Sequence, residues 1–153
     1  MFHRFRYESA YYPVLDRLPL YARMKLDLTG IKLSLNQWLD FAIEERRVIC
    51  HLPIDSDEEI MVFVEYVNLL CNTRCGSAAQ FLQPLDPALW NTHHIPPPVL
   101  DLSLECGRTI CIAEWNRWQF HERYALYKTA ISKNEPEKFS AVLLELQERK
   151  TES

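Results

Sequence analysis

Apolar positions recur at helical spacing through most of the chain. Leu20, Met24 and Leu28 follow Pro19, with Arg23, Lys25 and Asp27 on the other faces. That spacing predicts a helix that opens at the proline and stops at Gly30, where glycine takes the left-handed conformation without steric cost. Val99, Leu102 and Cys106 mark a second such helix between Pro98 and Gly107. The clearest amphipathic stripe is Ile60, Phe63, Val64, Val67, Leu70 and Cys71, opened by Ser56 and Glu59 as a capping pair. A shorter stripe, Phe139, Val142, Leu143 and Leu146, opens at Pro136, and residues 150–153 are expected to fray.

The punctuation of these helices occurs twice, 77 residues apart. Gly30, Trp38, Glu45 and Arg46 return as Gly107, Trp115, Glu122 and Arg123, and Phe41 returns as Trp118. A short extended stretch follows each glycine. Ser34 with Gln37 then forms a capping box, with Leu33 and Trp38 as the hydrophobic staple on either side. In the second copy Cys111 and Glu114 take the capping positions and Ile110 and Trp115 the staple. A thiol caps more weakly than a hydroxyl, so a looser helix start is expected there. Beyond each Trp a further helix begins near Glu44 and Glu45, or near Glu122, where carboxylates suit the helix dipole.

Between the copies, Pro84, Pro87, Pro96, Pro97 and Pro98 rule out a long helix, because proline removes a donor and clashes with the preceding turn. Asp86 to Trp90 can form one helical turn. The expected fold is all-α: a single, mostly helical domain over 1–149, built from an internally duplicated multi-helix unit with short extended segments. The repeats fall at about 19–75 and 98–149, joined by a connector at 76–97. A duplicated chain satisfies its own pseudo-twofold symmetry, which favours a monomer.

Composition narrows the function classes. The chain has 153 residues, 48% hydrophobic and 25% charged, an ordinary globular balance. Its three glycines argue against a hairpin-rich sandwich or barrel. Net charge is −4 and no basic run exceeds two residues, which argues against nucleic-acid binding. The N-terminus lacks a signal-peptide pattern, and no apolar run reaches the roughly 18 residues of a membrane span. Five scattered cysteines fit reduced thiols in the cytoplasm.

Candidate chemistry is sparse. Trp38 and Trp115 could anchor an interface, and Arg46 and Arg123 could grip an anion, but duplication favours a structural joint for all four. Lys25 and Asp27 have no counterparts in the second copy; they stand either for a partner contact or for the solvated face of their helix. Cys71 and Cys75, with His93 and His94, are the residue types of a zinc site, although adjacent histidines diverge and a domain of this size does not require structural zinc. Cys50-His51 and His121-Glu122 lack the setting of an activated nucleophile, and no phosphate loop or serine elbow occurs. The connector carries Trp90, His93 and His94 on a loop, where binding residues concentrate. The candidate partner-binding set is therefore Lys25, Asp27, Trp90, His93 and His94, with no catalytic, cofactor or metal residues assigned.

The stretch from Ala22 through Lys25-Leu-Asp27, Gly30, Leu33-Ser-Leu35 and Trp38, followed by Phe41 and Glu45-Arg46, resembles the signature of the nitrate reductase-associated protein family. Leu52-Pro53, Asp57-Glu58-Glu59, Ile95-Pro96 and Glu114-Trp115 are similar as well, so the resemblance covers roughly residues 1 to 145. At Leu15-Asp-Arg-Leu-Pro19 the chain departs from the family pattern, in which a Cys precedes the proline. The resemblance implies a non-catalytic accessory protein that binds assimilatory nitrate reductase or its maturation machinery, without a cofactor of its own. The alternatives are an interaction module with a different partner, or a small metal or thiol protein.

Overall fold

The computed structural model describes residues 2–132 and 135–149, so the tail expected to fray lies outside the described residues. The chain is mostly helical, with eight α-helices and one two-stranded sheet among those residues. It divides into two compact units. The first comprises Met1–Arg4 and Glu8–Leu85, the second Phe5–Tyr7 and Asp86–Ser153.

In the first unit, α1 (Leu20–Thr29) ends at Gly30, whose φ of 77° is left-handed as the stop signal requires. Pro19 precedes α1 and supplies no side-chain cap. Glu8 does so from a distance: its buried carboxylate accepts from the Leu20 N–H at 2.8 Å and from the Tyr12 hydroxyl at 3.0 Å. Strand β1 (Ile31–Lys32) follows, then α2 (Leu35–Asp40), α3 (Ile43–His51) and α4 (Asp57–Arg74). The capping box at α2 forms as the sequence predicts, with Ser34 and Gln37 bonded reciprocally at 2.9 and 3.1 Å. At α4, Ser56 Oγ accepts from the Glu59 N–H, while the Glu59 carboxylate reaches one residue further back, to the Asp55 N–H at 2.9 Å.

Strand β2 (Gln80–Phe81) pairs antiparallel with β1, Ile31 opposite Phe81. The Leu82 N–H to Gly30 O bond (2.7 Å) and the Leu85 N–H to Asp27 O bond (2.9 Å) extend the seam. This divides the expected connector. Residues 76–85 are sewn into the first unit by main-chain bonds, and residues 86–97 fold with the second. The core of the first unit gathers Leu26, Trp38, Phe41, Ile49, Phe63, Val67, Leu70 and Cys71, so the apolar stripe of α4 does face inward.

The second unit contains a 3₁₀ turn at Pro87–Leu89, then α5 (Pro97–Glu105), α6 (Ile112–Arg117), α7 (Phe120–Ile131) and α8 (Pro136–Arg149). Asp86 caps the 3₁₀ turn through the Ala88 N–H at 2.9 Å. Helix α7 packs on α5 and α8. The buried set includes Val99, Trp115, Tyr124, Leu126, Phe139, Val142, Leu143 and Leu146. Helices α2 and α6 have the same length and lie 77 positions apart, as do the starts of α3 and α7. After Gly107, at φ 71°, no strand forms, unlike the segment after Gly30. At α6 only half the capping box exists: the Glu114 carboxylate accepts from the Cys111 N–H at 3.1 Å, and the thiol accepts no cap bond.

Candidate functional site

The repeated Trp and Arg build a joint in each unit. Trp38 and Trp115 are fully buried. The Trp38 indole donates to Leu15 O at 2.7 Å and that of Trp115 to Thr92 O at 2.9 Å, each spanning 23 residues. Leu15 holds this position with a positive φ of 50°, unusual for a residue with a branched side chain. Arg46 Nε donates to Trp38 O at 3.0 Å and Nη2 to Leu39 O at 2.7 Å. Arg123 repeats both bonds, to Trp115 O and Asn116 O, each at 3.0 Å. The planar fork of each guanidinium closes the end of a six-residue helix, adding a donor to a Trp carbonyl that otherwise accepts, among the described residues, only from the N–H of the capping residue three positions on, Phe41 or Trp118. These side chains occupy their donors internally, in keeping with a structural joint.

Lys25 corrects the sequence expectation. Its side chain is neither on a solvated face nor available to a partner, because it is only 1% exposed. Its ammonium donates to the carbonyls of Ile49, Cys50 and Leu52 at 2.7, 2.9 and 2.7 Å. The rings of Tyr21 and Phe63 lie 5.1 and 5.5 Å away. A cation here satisfies the orphan carbonyls at the end of α3 and complements its dipole. Burial pushes the Lys25 pKa down to about 8, against the opposing pull of Cys50 and Asp55. The corresponding position in the second unit is Leu102, and α7 runs on to Ile131 without such a break.

Trp90 is corrected in the same sense. It is fully buried, with the rings of Tyr124, Phe120 and Tyr127 at 5.1, 5.5 and 5.9 Å. Among the described residues its indole N–H finds no hydrogen-bond partner. Of the remaining candidates, Asp27 is half-buried on α1, and its carbonyl anchors Leu85. His93 and His94 are exposed, with the His94 carbonyl accepting from Thr92 Oγ1 at 2.7 Å.

Among the described residues, no group of three or more His, Cys, Asp or Glu is placed to hold a metal ion. Burial pushes the Cys71 thiol up to about 11 and the Cys50 thiol up to about 12, the reverse of what a reactive cysteine needs. No described helix is long and apolar enough to cross a membrane.

The surface that the sequence reading missed lies on α4. Opposite its buried stripe, Met61, Val62 and Leu69 are exposed, interleaved with Glu58 and Glu65. A cleft lined by Leu52, Pro53, Glu58, Glu59 and Val62 opens where this face meets the turn before the helix. The signal was present in the sequence: three large apolar residues fall on the side of the helical wheel that a solvated face fills with polar groups.

A family model described as conserved nitrate reductase-associated protein matches residues 4–146. No curated protein and no solved structure matches the chain.

Proposed function

The chain belongs to the conserved nitrate reductase-associated protein family, and from that membership we propose that it is a non-catalytic accessory protein of assimilatory nitrate reductase, acting in the cytoplasm by binding the enzyme or assisting its maturation. The observation that carries this reading is the family match over nearly the whole chain, residues 4–146. The chemistry of the interior is consistent with it. The buried cation Lys25 has all three donors on main-chain carbonyls, and the buried thiols Cys50 and Cys71 are held protonated. The same reading treats the two units as copies of one scaffold within a monomeric chain. Its support is the pair of indole bonds and the pair of guanidinium bonds that recur at equal sequence separations.

A tagged copy of the chain, purified from its native cells grown on nitrate and read by mass spectrometry, tests the proposal. Recovery of nitrate reductase, or of the proteins that insert its cofactor, is the expected result. An unrelated stable partner, together with unchanged nitrate reductase activity in a deletion strain, would replace this reading with that of an interaction module serving another process.

A further inference from the structure

We propose that the outward face of α4, from Glu58 to Leu69, docks a basic amphipathic helix of a partner protein; this deepens the accessory reading above and rests on it. The inward side of α4 is spent on the core through Phe63, Val67, Leu70 and Cys71. Residues 58, 61, 62, 65 and 69 fall on the opposite side, since positions three and four apart on a helix share a face. Met61 is 60% exposed, Leu69 59% and Val62 54%. At the N-terminal end of the face, the cleft between Leu52, Pro53 and Val62 offers an apolar recess with Glu58 and Glu59 at its rim. The recess is preformed, because the Glu59 carboxylate fixes the turn through the Asp55 N–H at 2.9 Å.

Charge selects the occupant. Asp57, Glu58, Glu59 and Glu65 are the ionisable acids of this helix, and its only cation, Arg74, is held by Glu45 at 3.1 Å. Apolar side chains interleaved with carboxylates at helical spacing complement a helix that carries Leu, Met or Phe together with Lys or Arg at the same spacing. One apolar side chain of that helix seats in the recess, and its cations lie against Glu58 and Glu65. A second copy of this chain is a poorer occupant, because a twofold contact centred on the face sets Glu65 against itself. An anionic lipid surface would meet the same carboxylates and be repelled.

The test is site-directed photo-crosslinking in cells grown on nitrate, with p-benzoylphenylalanine placed in the full chain at Met61 or Val62. A control chain carries it at Leu104, which is 58% exposed on α5. The expected product is a cross-link from positions 61 and 62, and not from 104, to a peptide with Lys or Arg every three or four residues among apolar ones. Combining Glu58→Gln with Glu65→Lys should lower the yield roughly tenfold, with the thermal midpoint and helical circular dichroism retained. A lipid adduct, a cross-link to a second copy, an acidic segment, no product, or a yield unmoved by the charge changes would each overturn the proposal. The two readings fail separately. A basic helix from a protein unconnected with nitrate reductase keeps the surface and removes the accessory function. Nitrate reductase captured by the tagged chain but never through α4 does the reverse.

Discussion

Arg46 and Trp38 lock each other in place: the guanidinium Nε donates to the Trp38 carbonyl at 3.0 Å, while the Trp38 indole reaches Leu15 O at 2.7 Å and Arg46 Nη1 reaches Val14 O at 2.9 Å. One residue pair thereby ties the end of α2 to the segment that precedes α1. Lysine cannot reproduce this fork, so Arg46→Lys should destabilise the protein by about 2–3 kcal/mol in denaturant titration. Arg123→Lys should cost less, because Arg123 is only half-buried and its Nη1 bond, to the Asn91 side chain, is exposed. Equal losses at both sites would contradict this ordering.

Trp38 and Trp90 are both fully buried, but among the described residues only the first has a partner for its indole N–H. Replacing either by Phe removes similar volume. Trp38→Phe leaves the Leu15 carbonyl with only the longer bond from Arg46 Nη1, at 3.5 Å, whereas Trp90→Phe removes a polar group that was unsatisfied. The first substitution should therefore be more destabilising than the second by about 1–3 kcal/mol. Thermal unfolding of the two variants reads the difference directly, and a larger loss at Trp90 would show that its ring packing outweighs the stranded N–H.

Lys25 gives stability an alkaline signature. Its pKa falls from the ordinary 10.5 to about 8 on folding, chiefly through burial. Below pH 8 both states hold the proton; between 8 and 10.5 the unfolded chain binds more protons, so this group's contribution to stability rises with pH through that window. Lys25→Met abolishes the titration and leaves three carbonyls without donors. The gap between parent and variant should widen from pH 8 to 10.5, by at most about 3 kcal/mol. A gap that stays flat would mean that the three carbonyl bonds hold the charged form as well as water does.

The buried thiols act in the opposite direction. Cys50 and Cys71 start from an ordinary 9.0 and are raised by burial to about 12 and about 11. Above pH 9 the unfolded chain ionises them first, so their contribution is lost as pH climbs toward the folded values. At neutral pH a maleimide should modify exposed Cys111 rapidly and leave Cys50 and Cys71 untouched until the protein is unfolded. Rapid modification of all five cysteines in native buffer would count against this packing.

Gly30 and Gly107 share a left-handed φ but not an environment. A Cβ on Gly30 would lie 2.4 Å from Leu82 O, whereas one on Gly107 meets nothing within 4 Å. Gly107→Ala should cost about 1–2 kcal/mol, the conformational term alone. Gly30→Ala should cost distinctly more and loosen the β1–β2 pair, seen as faster amide exchange at Leu82.

What the sequence determined by itself was local. Gly30 and Gly107 as stops, the Ser34–Gln37 box, the inward stripe of α4 and the proline-limited segment around 84–98 all depend on bonds or steric clashes within about four residues, a range that spacing alone encodes. Tertiary structure decided the rest. Glu8 caps α1 from 12 residues away, Lys25 reaches carbonyls 24 to 27 residues on, and Gln80–Phe81 becomes a strand only because Ile31–Lys32 lies beside it. A lysine on an amphipathic helix extends to water unless acceptors wait inside. Here they did, because Pro53 prevents α3 from continuing and leaves its last carbonyls open. The pattern of residues predicted the helices, but which charges they enclose depended on the helix ends they met.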